Sequence, residues 1–189
     1  MNKILTAAAL TGLLIGQVVA APQTFVLDAH HTFPRLAYNH MGLSKQILRF
    51  NKSTGTVVLD AQAKEAQVDI TIDMESIDTG SDEFDEHIRS ADFFDIAKFP
   101  TATYKSSKVV FEGDKPVRVE GNLTIKGITK PVTLEITSFF HGDHPRLKKE
   151  AIGANATAQI KRSDFDTGKY APAVSDEVTL DIALEAIVE

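Results

Sequence analysis

The sequence predicts an all-β domain of about eight antiparallel strands, and three patterns carry that prediction. Apolar and polar residues alternate with a period of two along several stretches, turn-forming Gly, Pro and Asp separate those stretches, and breaks in the strand pattern are short. One dry and one wet face indicates antiparallel pairing, because parallel sheets covered on both faces read as continuous apolar runs.

Residues 1–20 read as an address rather than as structure. Lys3 provides a positive start, Ala7 to Ile15 an apolar stretch, and Val18-Val19-Ala20 the small residues before a cut between Ala20 and Ala21. This is a Sec-type signal peptide, and it implies export to the periplasm. Residues 21–189 then form a single domain with no internal repeat or low-complexity linker. Losing the leader removes one cation, Lys3, and no anion, so the formal charge of −6 becomes −7. An acidic chain without a basic stripe argues against nucleic acid, and no other stretch is long and apolar enough for stable membrane insertion. The chain has no Cys, which excludes disulfides, thiolate nucleophiles and Cys-based metal sites.

The elements follow in order. A strand is expected around His30-His31 and another over Leu36-Ala37-Tyr38, while Met41 to Ile47 suggests a helical turn. Val68, Ile70, Ile72 and Met74 alternate with Gln67, Asp69, Thr71 and Asp73. A short helical insertion is expected around residues 81–97, with Ser81 as N-cap and Asp82 and Glu83 in its first turn. Val117, Val119, Leu123 and Ile125 share one parity, as do Val132, Leu134 and Ile136, and later Val178, Leu180, Ile182 and Leu184. Hairpin loops are expected at Gly113-Asp114-Lys115-Pro116 and over Lys126 to Pro131, with a longer connection over His141 to Pro145.

This pattern fits either a sandwich or a closed barrel. The strand from Ile152 to Ile160 bears on the choice, because Ala154, Ala156 and Ala158 occupy successive inward positions. Small inward residues leave voids in a sandwich core but widen the lumen of a barrel. The segment Asp85 to Pro100 poses a related question. Its Ile88, Phe93, Phe94 and Phe99 cannot be buried against a short helix alone, so they cover apolar structure built by the rest of the chain, either a filled core or a ligand cavity.

Several groups could carry chemistry. Adjacent residues of a strand point to opposite faces, so His30 and His31 there would not share a metal ion. His141 and His144 flank a loop with Asp143, and whether that loop holds a metal is left open. His40 could sit at a cavity mouth and bond a polar head group, or be satisfied by backbone. Arg162 could face an anionic head group, or pair with an Asp to hold a turn. Asp82, Glu83, Asp85 and Glu86 read as the solvated face of the helix. There is no Gly-x-Ser-x-Gly elbow, and no Ser near a His has an evident acidic orienter, so no catalytic residue is assigned.

A family resemblance runs through almost the whole mature chain. It is carried by Leu27-Asp28 with His31-Thr32, by His40 to Ser44, by Asp85 to Phe94, and by Lys98 to Tyr104. It continues through Gly121 to Ile125, Gly127 to Val132, Arg162 to Phe165 and Ser175 to Val178. In this order and spacing the motifs resemble the YceI-like family of exported bacterial lipid-binding proteins. The resemblance implies an extended lipocalin-like antiparallel eight-stranded β-barrel with an apolar central cavity for a polyisoprenoid, quinone or fatty-acid-type lipid. In that reading Phe93, Phe94 and Phe99 face the lumen, and Phe33, Tyr38, Met41, Leu43, Phe50, Phe84, Ile88 and Tyr104 complete its wall. His40 and Arg162 stand near the polar end. Leu48, Asp166 and Ile152 depart from the usual family residues at turns or near the lumen.

The expected function is a periplasmic carrier or sensor that sequesters such a lipid by burial, without cofactor, metal or reaction. The alternatives are a stress-responsive accessory enzyme acting on a lipid head group at the cavity mouth, and a structural domain with a filled core. A homodimer is a candidate assembly.

Overall fold

The computed structural model describes residues 21–189, and the expected signal peptide with its cleavage point lies outside them. The described chain runs β1 (Gln23–Leu27), β2 (Phe33–His40), β3 (Ser44–Phe50), β4 (Ser53–Asp60) and β5 (Glu65–Asp73). A 3-10 turn (Met74–Ser76) leads to β6 (Ile77–Asp78) and α1 (Asp82–Arg89), followed by β7 (Thr101–Glu112), β8 (Lys115–Ile125) and β9 (Ile128–Asp143). Then come β10 (Glu150–Lys161), a second 3-10 turn (Arg162–Phe165) and β11 (Glu177–Val188).

Eight of these strands close a barrel in the order β1-β4-β5-β7-β8-β9-β10-β11, with β11 pairing back to β1. The expected lipocalin-like barrel is therefore present, and the other strands extend it. β11 pairs with β1 over Ala186–Val188 and with β2 over Thr179–Ala183, so β1 and β2 share one edge of β11 in tandem. From β2 the flap continues through β3 to β6.

The break between β1 and β2 is a turn, not the strand expected at His30-His31. The His30 amide donates to the Asp28 carboxylate at 2.8 Å. Thr32, 1% exposed, patches the interrupted ladder with its side chain: its hydroxyl donates to the Glu185 carbonyl and accepts from the Glu185 amide, both at 3.1 Å.

The helical turn expected over Met41 to Ile47 is instead a tight hairpin running into β3. Met41 (φ 56°) and Gly42 (φ 72°) take left-handed conformations, and His40 pairs with Ser44. The Lys126-Gly127 loop behaves similarly, with φ values of 50° and 73° between paired Ile125 and Ile128, the twist preferred by two-residue hairpins. β9 runs through His141 to Asp143, so the long connection begins only at His144.

Two bulges alter the side-chain parity read from the sequence. Opposite Val110 and Phe111, the ladder passes from Arg118 to Pro116 and skips Val117, and Pro116 lines the interior instead. In β9 the ladder steps from Ile136 to Ser138 and omits Thr137, which turns Phe139 inward. A bulge inserts one unpaired residue, so every side chain beyond it changes face.

The helical insertion is shorter than expected. Ser81 caps α1 by accepting the Phe84 amide at 3.4 Å, and the Ser90 hydroxyl donates to the His87 carbonyl at 2.7 Å where the helix stops. From there to Phe99 the chain proceeds by turns, with Asp95 left-handed (φ 49°) and accepting the Lys98 and Phe99 amides through its carbonyl. Asp85 is not on the solvated face: it is buried and accepts the Thr79 amide at 2.7 Å, tying α1 to the preceding loop. Arg89 anchors the other end by donating to the Glu75 and Ile77 carbonyls. The apolar side of the segment closes one barrel end through Ile88 and Phe93, which meet Leu48, Phe50, Met74 and Ile77. Phe25, Leu59, Ile152 and Ala186 close the other end.

Candidate functional site

Between these two clusters lies a lumen. Its inner chamber, about 160 Å³, is bounded by alternating residues of the barrel strands, among them Val68 and Ile70 of β5, Val119 of β8 and Leu134 of β9. The β11 share of this wall is Leu180, Ile182 and Leu184. The β10 share is Ile152, Ala154 and Ala156, and the two alanines give the width that the sequence pattern suggested. Polar tips are few here. Tyr104 lines the chamber, but its hydroxyl donates to the Val119 and Val132 carbonyls at 2.9 and 3.0 Å, and burial pushes its phenol well above the ordinary tyrosine range. Gly121 makes that placement possible: a Cβ there would stand 2.7 Å from the Tyr104 ring and 2.6 Å from the Lys105 carbonyl.

An outer chamber of about 250 Å³ adjoins the inner one, and Leu36, Phe94 and Ile125 line both. Phe94 stands at that junction, edge-to-face with Phe50 at 6.1 Å. One side of the outer chamber is the α1 segment, through Phe84, His87, Ile88 and Phe93. The other side is β2 with the strap between the second 3-10 turn and β11. The strap is held against β2 by the Met41 amide on the Ala173 carbonyl (2.8 Å) and the Ser175 amide on the Asn39 carbonyl (2.9 Å).

Arg162 organises this strap. Its Nε donates to the Ser175 carbonyl, Nη1 to the carbonyls of Thr167 and Lys169, and Nη2 to that of Val174, at 2.8 to 3.1 Å. The Arg–Asp pair considered for it is therefore not the device used: four carbonyls hold the guanidinium, and Asp176 instead accepts the Ser163 amide and hydroxyl. Burial lowers the Arg162 pKa, with Asp176 and Tyr38 opposing that shift. Asp166 ends the 3-10 turn in a left-handed conformation (φ 53°), a backbone geometry that favours glycine. Its carbonyl and carboxylate both engage Lys126 at 2.9 Å.

Most of the residues expected from the sequence meet at this lumen. Phe50 and Tyr104 line the inner chamber, Phe94 lines both, and Tyr38, Met41, Phe84, Ile88 and Phe93 line the outer one together with His40 and Arg162. Three do not. Phe33 has the opposite parity to Pro34 and Leu36 and lies under the Arg49 guanidinium, 5.2 Å from its ring centroid. Leu43 is 81% exposed at the hairpin tip. Phe99 covers Gly127, where a Cβ would come within 2.8 Å of its ring. Sequence reasoning did not find His87, Lys169 and Tyr170, which the fold brings to the outer chamber, nor Pro116 and Phe139, which the bulges turn inward.

Three of the four His residues away from the lumen have side-chain partners. His141 Nε2 lies 2.7 Å from a Glu150 carboxylate oxygen, while His144 Nδ1 accepts the Arg146 and Leu147 amides. Among the described residues, the group that could converge on a metal ion is Asp28, His31 and Glu185, and His31 Nδ1 is already 2.8 Å from Asp28.

The family model for the YceI-like domain matches residues 25–186. The chain belongs to the YceI-like family. Protein YceI of Salmonella arizonae is 38% identical over 190 residues, spanning 99% of this chain and 98% of that protein. The crystal structure of Burkholderia cenocepacia BcnA superposes with a TM-score of 0.71 at 25% identity, over 85% of this chain and 99% of that one. A polyisoprenoid binding domain from Saccharophagus degradans gives a TM-score of 0.67 at 17% identity, over 88% of this chain and 99% of that one, and so shares the fold. The YceI-like barrel and its two-chambered lumen thus come together in one chain. Among the described residues, no helix is long and apolar enough to cross a membrane.

Proposed function

We propose that this protein is a periplasmic carrier that sequesters a long isoprenoid-type or other amphipathic lipid, with the chain in the inner chamber and the polar end in the outer one. The observation that carries this reading is the lumen itself, an apolar inner chamber adjoining a more polar outer one. Each methylene-sized group transferred from water contributes about 0.8 kcal/mol, so a chain of about ten such groups gains roughly 8 kcal/mol before ordering costs. Burial of that size retains a lipid without directional chemistry. The leader-like residues 1–20 support export, and the description of a protein of the same fold as polyisoprenoid-binding is consistent with the ligand class.

Lipid extraction and mass spectrometry of the natively purified protein test the proposal, together with uptake of prenyl and quinone ligands by the delipidated protein. A co-purifying lipid or saturable uptake is expected. Finding neither would overturn the reading. Mass analysis of the ligand after incubation separates a carrier from the accessory enzyme: a carrier returns it unaltered, an enzyme returns a changed head group.

A further inference from the structure

Apolar side chains gather outside the lumen as well as inside it. Seven large apolar side chains are exposed among the described residues, and four of them, Met41, Leu43, Ile47 and Tyr170, belong to the β2–β3 hairpin or to the strap docked on it. The two segments are tied together: the Met41 amide donates to the Ala173 carbonyl, and His40 bridges to Val174. The strap also leaves Ala171, Pro172 and Ala173 exposed. This patch runs into the outer chamber, because Met41 and Tyr170 line it as well, and the Tyr170 ring lies 6.2 Å from that of Phe93 on the α1 segment.

Charge follows the same division. The chain is acidic overall, yet residues 33–59 and 167–175 contain no Asp or Glu. Arg35, Arg49, Lys52 and Lys169 are each paired with a carboxylate from elsewhere in the chain. Lys45, exposed on β3 between Leu43 and Ile47, has no partner among the described residues. Asp166 and Asp176, which flank the strap, are turned to Lys126 and Ser163. The exposed carboxylates Asp82, Glu83 and Glu86 stand on α1, on the other side of the chamber, so the hairpin and strap present none of their own. Exposed apolar tips gain by leaving water, a tyrosine ring suits the head-group level of a bilayer, and a lysine is drawn to an anionic leaflet.

We propose that the β2–β3 tip and the strap form a docking surface for a lipid bilayer, which sets the mouth of the outer chamber against the membrane so that lipid passes between them without crossing water. This rests on the carrier reading above. The contact is peripheral: Leu43 and Ile47 enter the interface, Tyr170 lies among the head groups, and Lys45 meets lipid phosphate.

The test uses the full mature domain and vesicles of phosphatidylcholine, alone or mixed with phosphatidylglycerol. The wild type should sediment with vesicles, more so with the anionic mixture, and Leu43→Glu/Ile47→Glu should lower the bound-to-free ratio at least about tenfold. Neither residue lines the lumen, so uptake of a prenyl ligand from solution should be unchanged in this variant, which also shows that it folds. Leu147→Glu alters another exposed apolar residue, in the β9–β10 loop, and should leave vesicle binding as it is. The chain has no Trp, so Leu43→Trp supplies a single reporter. Its emission should shift to the blue on vesicles and be quenched by lipids brominated in their acyl chains. A blue shift that follows protein concentration, without bromine quenching, assigns the patch to a second copy of this chain and overturns the proposal. Absence of vesicle binding overturns it too, as does equal loss in Leu43→Glu/Ile47→Glu and Leu147→Glu. Ligand uptake by the wild type, measured separately, leaves the carrier reading standing in all three cases; absence of uptake overturns that reading and the passage of lipid with it.

Discussion

Gly121 shows how a single missing side chain shapes the lumen. Tyr104 crosses β8 at this position to reach two carbonyls, and the glycine is what lets the ring lie so close to the backbone. Gly121→Ala should destabilise the protein by about 1–3 kcal/mol through overpacking, seen as a lower urea midpoint; an unchanged midpoint would show that the ring shifts freely. Asp176 offers a pH-dependent counterpart. The Ser163 hydroxyl, then its amide, hold the carboxyl below its ordinary value of 3.8, against the opposing effect of burial. A carboxyl whose folded pKa is depressed contributes stability above its unfolded value, and that contribution is lost as pH falls through the folded value. The thermal midpoint of the wild type should therefore drop below about pH 4, and Asp176→Asn should be less stable at neutral pH but show a shallower acid decline. Parallel curves for the two proteins would remove Asp176 from that role.

At the scale of elements, the α1 segment is one wall of the outer chamber. It is tied down by polar anchors, Asp85 to the Thr79 amide of the preceding loop and Arg89 to the Glu75 and Ile77 carbonyls, and by the apolar contacts of Ile88 and Phe93. Arg89→Met should raise amide exchange across residues 84–96 while leaving β8 to β10 protected; uniform exchange changes would mean that the segment and barrel open as one unit. Phe94 belongs to both chambers, so Phe94→Asp places a charge at their junction. Uptake of an apolar chain should fall at least about tenfold, with circular dichroism confirming the fold. Unimpaired uptake would show that the chain does not pass Phe94.

For the whole molecule, closure and width decide what the barrel can hold. Pairing of β11 with β1 seals the ring, and the alanines of β10 keep the inner chamber wide. Ala154→Phe should fill part of that space and lower uptake of long chains at least about tenfold, with a cooperative unfolding transition retained. Full uptake would place the chain elsewhere. The rim is also apolar in part: Met41 is 56% and Tyr170 52% exposed, and both line the outer chamber.

Local pattern was enough for much of this. Strand parity along β5, β10 and β11, the Lys126-Gly127 hairpin and the Ser81 cap are consequences of neighbours in sequence, where period-two alternation and turn chemistry act over a few residues. The alanines of β10 carried the signal for a wide lumen. What local pattern could not carry was anything set by partners far along the chain. The bulges that turn Pro116 and Phe139 inward depend on ladder register with another strand, and the short α1 with its buried Asp85 depends on Thr79 and on the flap it covers. Phe33 and Phe99 carry the same apolar signal as Phe50 and Phe94, yet only the fold puts the first pair outside the lumen. The meeting of His40, His87, Arg162 and Lys169 around one chamber likewise comes from strand closure and the strap. Sequence determined which faces are apolar; the tertiary structure decided which of them enclose space, because enclosure depends on long-range pairing that no local periodicity encodes.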